Sequence, residues 1–154
     1  VSRGAKERKD VLVDDVARIL VQFGRGCGGT IEANWIATGR KMQLGFELTG
    51  SKGSLVFTQE RLNELLFYKA GSDAKTNGYV RIETGPQHPP YGEFCVAGGH
   101  QLGFNDLKTI QIGEFLGAIG GGPKAGPDFR EAYEIQKVVE ASIASSKARS
   151  WVKV

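Results

Sequence analysis

The sequence predicts an α+β fold: an open, mostly antiparallel or mixed β-sheet with helices packed on one face. Three observations point there. Segments with strand chemistry crowd together before Gly85, and helical spacing begins only after Gly103. Glycine, 22 of the 154 residues and about twice its ~7% typical share, punctuates the segments as turns. The length suits one domain on the usual range of ~100–200 residues. Hydrophobic residues at 40% and charged residues at 24% exclude wholesale disorder. Residues 1–10 read as a charged linker or frayed start, and 11–154 as a single domain.

Asp15 to Phe23 (D-V-A-R-I-L-V-Q-F) is rich in β-branched and apolar residues and stops at Gly24. Thr30 to Thr38 alternates, with Ile31, Ala33, Trp35 and Ala37 on one face, which is the period of a strand. Trp35 is expected in the core or at a subunit interface, because aromatic residues on strands usually pack. Leu44 to Thr49 and Ser54 to Thr58 form a hairpin around Gly50-Ser51-Lys52-Gly53. Glu64 to Lys69 and Tyr79 to Thr84 are two further strands, and several strands offer apolar residues to both faces. The nineteen residues Gly85–Gly103 have no period, few apolar anchors (Tyr91, Phe94, Val96, Leu102) and both histidines of the chain. A long, weakly anchored loop of that kind is expected to be functional.

Ile112, Phe115, Leu116 and Ile119 then follow helical spacing, with Asn105 or Asp106 available as N-cap and Gly120-Gly121-Gly122-Pro123 as the stop. A second helix follows Gly126-Pro127, where Asp128 and Glu131 have capping-box spacing. Its expected inner face is Phe129, Ala132, Gln136, Val139 and Ile143. Ser150 to Val154 alternates again and reads as a last short strand.

Charge, cysteine and hydropathy exclude several classes. The net charge of +3 is concentrated at the two ends, and the stretch between them is slightly acidic. With no clustered basic face or aromatic reading element, nucleic acid is not an expected partner. No apolar run approaches the ~18 residues of a membrane span, so no membrane partner is expected either. Cys27 and Cys95 stand 68 residues apart without a CxxC, and His88 and His100 lack the spacing of a helical zinc pair. No metal site is therefore expected. Free thiols and the lack of a visible leader after Val1 point to the cytoplasm. Gly24-Arg25-Gly26-Cys27-Gly28-Gly29 matches G-x-G-x-x-G, but the residues after it alternate at period two instead of opening a helix. It reads as a hairpin connection. Gly120-Gly121-Gly122-Pro123-Lys124 likewise lacks the Ser/Thr of a phosphate loop.

The segments W-I-A-T-G-R (35–40) and L-G-F-E-L-T-G-S-K-G-S-L-V-F (44–57), with the tail P-D-F-R-E-A-Y-E-I-Q-K-V-V-E-A-S-I-A-S-S-K-A-R-S-W-V-K-V (127–154), resemble the C-terminal domain of the glucose–fructose oxidoreductase/inositol dehydrogenase/rhizopine catabolism (Gfo/Idh/MocA) family. G-H-Q-L-G-F-N-D (99–106) is similar to sugar- and polyol-acting members. The resemblance covers about residues 11–154. It implies a dihydrodipicolinate-reductase-like C-terminal domain that binds substrate and builds a homo-oligomer, dimer or tetramer, in an NAD(P)-dependent sugar or polyol (inositol-like) dehydrogenase. It also implies an N-terminal Rossmann domain, absent from this chain, that holds NAD or NADP. The family's Glu-Lys-Pro lysine and Asp/His pair are missing here, so no catalytic or cofactor-binding residue is expected and the chain alone should be inactive and bind no cofactor. Carried over position by position, the resemblance implies a substrate-pocket wall of Arg40, Lys41, Met42, His100, Asn105, Asp106 and Lys108. These are polar loop residues of the kind that meet sugar hydroxyls. Each has an ordinary alternative: Arg40 and Lys41 as solvated turn charges, Asn105 or Asp106 as helix caps, and His100 as a backbone-bonded loop residue. A different class also remains open, a non-enzymatic ligand-binding or assembly module on the same sheet.

Overall fold

The computed structural model describes residues 10–154, so the charged start lies, apart from Asp10, outside the described residues. The chain divides into two compact units, one comprising the segment up to Arg40 with Tyr133–Val154, the other Lys41–Ala132. Among the described residues the secondary structure is α+β, with two α-helices and two antiparallel sheets of two and four strands.

In the first unit, β1 (Val16–Gln22) pairs with β2 (Gly28–Asn34), placing Ile19 opposite Ile31 and Arg18 opposite Glu32. The turn between them closes through Phe23 N–H to Cys27 C=O and Gly26 N–H to Phe23 C=O. Gly26 sits at φ 85°, a left-handed conformation that glycine adopts without steric cost. The glycine-rich segment is therefore a hairpin turn followed by a strand. β2 ends four residues earlier than the alternation suggests. The Asn34 carboxamide oxygen accepts the Ile36 N–H at 3.2 Å, an Asx turn that diverts the backbone from the ladder. Trp35, expected in the core or at a subunit interface, is 90% exposed and so lies outside the core. Turn structure continues through Arg40 N–H to Ala37 C=O, so the six strands form two sheets and not one.

The second unit holds β3 (Gly45–Gly50), β4 (Gly53–Thr58), β5 (Glu64–Lys69) and β6 (Val80–Glu83), antiparallel in that order. Their register sorts the residues cleanly. Leu48, Leu55, Phe67 and Val80 line up across one face, with Phe46, Phe57, Leu65 and Ile82 two residues away on the same side. Glu47, Val56, Leu66 and Arg81 line up across the other face, with Thr49, Ser54, Thr58, Glu64 and Glu83. This sheet is thus apolar on one side and mixed on the other, where Val56 and Leu66 stand among charged and hydroxyl groups, so β4 and β5 do offer apolar residues to both faces. The Phe46 and Phe57 rings meet at 5.6 Å, a pairing worth about 0.5–1.5 kcal/mol beyond area burial.

Helix α1 (Phe104–Ile119) belongs to this unit, and its stripe Ile112, Phe115, Leu116 and Ile119 is exposed. Leu107, Ile110 and Ala118 are the half-covered apolar residues of the helix. Helix α2 (Phe129–Ala148) begins with the expected box: Glu131 N–H donates to Asp128 Oδ1 and Asp128 N–H to Glu131 Oε2, both at 2.9 Å. Its covered side differs from the expected one. Val138, Ala141, Ser142 and Ser145 are half-buried, whereas Phe129 is 97% exposed. After α2, Arg149 turns left-handed at φ 51° and Ser145 Oγ donates to the Ser150 carbonyl, closing the helix end. The strand expected over Ser150–Val154 does not form, because these residues run on from that closure without a ladder partner.

Candidate functional site

The residues proposed for the pocket wall stand on two segments. Lys41 and Met42 lie in the stretch leading to β3, and His100 to Lys108 run from the end of the long loop into α1. Arg40 belongs to the other compact unit, and its N–H donates to Ala37. Lys41 is held through its backbone, donating to Glu60 Oε1 at 2.6 Å, which leaves its side chain outward. Met42 adopts a positive φ of 53° and is exposed, an uncommon backbone state for a residue with a side chain.

The long loop is more built than its composition suggests. The buried residues among those described are Gly85, Cys95 and Leu102, and all three lie within it. Cys95 is wholly buried and Leu102 is 6% exposed. A short 3₁₀ turn, Tyr91–Glu93, crosses its middle, with the Tyr91 carbonyl accepting N–H groups from Phe94 and Cys95 at 2.9 Å. His88 closes the start of the loop. Its Nδ1 accepts the Gly85 N–H at 3.2 Å and its own N–H donates to the Gly85 carbonyl. The expectation of weak anchoring is therefore corrected: the anchor is Cys95 with the two loop ends, not Tyr91 or Val96.

His100 is exposed near the end of the loop, its N–H bonded to Ala97 C=O at 3.1 Å. The N-cap of α1 is Gly103, not Asn105 or Asp106. Asp106 stands three residues into the box, and its Oδ2 accepts the Gly103 N–H at 2.7 Å. That acidic group suits the positive end of the helix dipole. Asn105 gives its carbonyl to Thr109 Oγ1 and leaves its side chain exposed. The Lys108 ammonium lies 5.4 Å from the centre of the Phe104 ring and donates to Gln111 at 3.4 Å. Each of these contacts is local; none joins the 41–42 stretch to the 100–108 segment. Together, imidazole, carboxamide and ammonium groups cluster within nine residues of one loop–helix junction, a set able to bind hydroxyls.

Three open clefts in the same unit are lined by none of these residues. One of 540 Å³ lies on the mixed face of the sheet at Val56, Thr58, Arg61, Glu64, Leu66 and Arg81. A second, of 510 Å³, follows the β3–β4 hairpin beside Leu55 and Phe67. The third, of 610 Å³, separates Ile112 and Phe115 of α1 from Pro127 and Phe129. At its rim Lys124 pairs with Asp128, which holds that carboxyl below its ordinary range and the lysine above its own. Among the described residues no three His, Cys, Asp or Glu gather as metal ligands. None of their helices is long and apolar enough to cross a membrane.

Sequence reasoning missed Asn63, whose carboxamide spans to the loop end, and the turn that His88 closes. Asn63 has no local signal, since its partner is 39 residues away. The Gly85…His88 spacing of a closed turn was the signal for His88.

Comparison with known proteins follows the same outline. Levoglucosan dehydrogenase from Pseudarthrobacter phenanthrenivorans is 34% identical over all of this chain, which spans 40% of that protein's length. A crystal structure of an oxidoreductase domain protein from Kribbella flavida matches at TM-score 0.87 and 39% identity, over 94% of this chain and 38% of the other. Levoglucosan dehydrogenase in complex with NADH and levoglucosan also matches at TM-score 0.87, with 34% identity over 95% of this chain and 40% of that one. Residues 1–154 match the family described as the oxidoreductase family, C-terminal alpha/beta domain. The order of strands before helices and the hairpin at Gly50–Gly53 carried the same resemblance, and the chain belongs to the Gfo/Idh/MocA oxidoreductase family as its C-terminal domain.

Proposed function

We propose that this chain forms the substrate-side wall and the oligomer surface of an NAD(P)-dependent sugar or polyol dehydrogenase. The reading is carried by one observation: 34% identity to levoglucosan dehydrogenase over the whole of this chain, which spans 40% of that protein. NADH in complexes of that relative favours NAD over NADP. A Rossmann domain elsewhere in the enzyme supplies the cofactor, which delivers or accepts hydride, together with the catalytic lysine and Asp/His pair. This chain contributes binding groups. His100, Asn105 and Lys108 face the sugar hydroxyls from the loop–helix junction, with Asp106 fixing the helix start beside them. Lys41 and Met42 supply a second set of contacts, and Arg40 is the residue before them in the chain. The exposed Cys27 thiol suits the reducing cytoplasm.

The test uses the two-domain enzyme with levoglucosan, L-sorbose, glucose and myo-inositol, each with NAD+ and NADP+. Reduction of the nicotinamide by at least one of these supports the reading, and inertness toward all of them contradicts it. In parallel, NADH titrated into the 154-residue chain should give no saturable fluorescence change. Micromolar binding would place cofactor contacts here and overturn the division of labour.

A further inference from the structure

Asn63 stands just before β5, outside every segment proposed for substrate. Its side chain makes a two-point contact with one distant residue. Nδ2 donates to the Leu102 carbonyl at 2.9 Å, and Oδ1 accepts the Leu102 N–H at 2.7 Å. The orientation of the amide is fixed by this pairing, since one backbone group can only donate and the other only accept. The backbone carbonyl of Asn63 meanwhile accepts both the N–H of Thr84, at 2.8 Å, and its Oγ1–H, at 3.2 Å. Thr84 directly precedes the long loop and Leu102 closes it. One residue thus fastens both ends of the nineteen-residue segment.

The fastening continues into the helix. Leu102 is held by Asn63, the next N–H belongs to Asp106, and Asp106 N–H returns to the Gly103 carbonyl at 3.2 Å. His100 lies two residues before this pinned point, and Asn105 and Lys108 lie on the first turns after it. Leu102 is nearly buried, so an unmatched N–H and C=O there would lose water as well as a partner. No other side chain reproduces the match at this length. Aspartate lacks the donor, leucine lacks both groups, and glutamine is a methylene too long.

We propose that Asn63 is a positioning residue for substrate recognition: by clamping Leu102 it sets His100 and the start of α1 against the bound sugar. The proposal rests on the function proposed above. Its test compares Asn63→Ala, Asn63→Asp, His100→Ala and the double variant Asn63→Ala/His100→Ala in the two-domain enzyme, with levoglucosan or whichever sugar of the panel reacts fastest. Misplacing binding groups by about an ångström costs up to roughly a hundredfold. Asn63→Ala is therefore expected to lower kcat/KM roughly ten- to hundredfold, mainly through KM, with NADH affinity unchanged. Asn63→Asp keeps the size and the Leu102 N–H bond, so it should fall between wild type and Asn63→Ala, and it carries the test if the alanine variant does not fold. Exchange of the Leu102 amide should accelerate clearly in Asn63→Ala and less in Asn63→Asp, while β4 and β5 keep their protection. The double variant should fall no further than Asn63→Ala alone, because a displaced His100 has little left to lose.

Wild-type sugar KM in both Asn63 variants, beside a raised KM in His100→Ala, would overturn the proposal and leave the site reading standing. Losses that multiply in the double variant, or that weaken NADH and sugar alike, would make Asn63 a general stability residue and overturn it too. If His100→Ala is silent while Asn63→Ala raises KM, the assignment of His100 fails, and with it the proposal that Asn63 acts by setting His100.

Discussion

Gly92 lies so close to Pro86 that a Cβ built on it would come within 2.3 Å of the Pro86 carbonyl oxygen. The obstacle is backbone and cannot rotate away. Gly92→Ala should therefore displace the turn that carries Cys95, lowering stability by about 1–3 kcal/mol, the usual cost of forcing volume into a packed place. Urea denaturation would read this as a lower midpoint, and an unchanged midpoint would mean that the loop is not tightly folded. Proline, glycine and histidine between 85 and 103 made the long loop legible, but its anchoring only in part. Counting apolar residues singles out Tyr91, Phe94, Val96 and Leu102; Leu102 is buried, Tyr91 and Val96 are exposed, and Cys95, which the count passes over, is wholly buried. Clamps such as Asn63 to Leu102 join residues far apart in the chain, and no local pattern encodes them.

Strand and helix positions were read with small errors, and each error has a local cause. β5 occupies the expected residues Glu64–Lys69, where apolar, aromatic and flanking charged groups all agree. β2 stops early because the Asn34 side chain competes for a backbone N–H. α1 starts at Phe104 because Gly103 can cap through its backbone while Asp106 reaches back. At α2 the box of Asp128 and Glu131 was fully legible, and it gives a pH prediction. The Lys124 ammonium, followed by the Glu131 N–H, lowers the Asp128 pKa. A carboxyl depressed in the folded state stabilises fully above its unfolded value, and that contribution disappears as pH falls through the folded value. The first turn of α2 should accordingly stay formed through the mildly acidic range and fray only below the ordinary aspartate pKa. NMR titration of the Asp128 carboxyl would check this, and a midpoint at or above the ordinary aspartate value would refute it. Across β1 and β2, the Arg18 bond likewise lowers the Glu32 pKa, so this cross-strand pair should persist over the same range.

Large apolar side chains stand uncovered along α1 and on one face of the four-stranded sheet, among them Phe46, Leu48, Phe115 and Ile119. Contiguous apolar surface of this kind marks a binding face. The 154-residue chain should therefore self-associate at tens of micromolar, two-fold pairing being the commonest closed form. A sedimentation equilibrium mass of 16.6 kDa would contradict that. The fold class and the family were legible because the order of strands, turns and helices survives in the pattern of glycine and apolar residues. The proposed pocket wall was less so, since its residues lie on separate turns and loops and no local pattern announces which of them meet. The central claim is that this chain holds the sugar while another domain holds the nucleotide. Kinetics of His100→Ala in the two-domain enzyme test it most directly, with NADH affinity measured alongside. Losing one hydrogen bond to a hydroxyl costs about 0.5–1.5 kcal/mol, so kcat/KM for the sugar should fall roughly three- to tenfold with NADH affinity unchanged. An unchanged sugar KM, or a loss of NADH affinity in its place, would contradict the account.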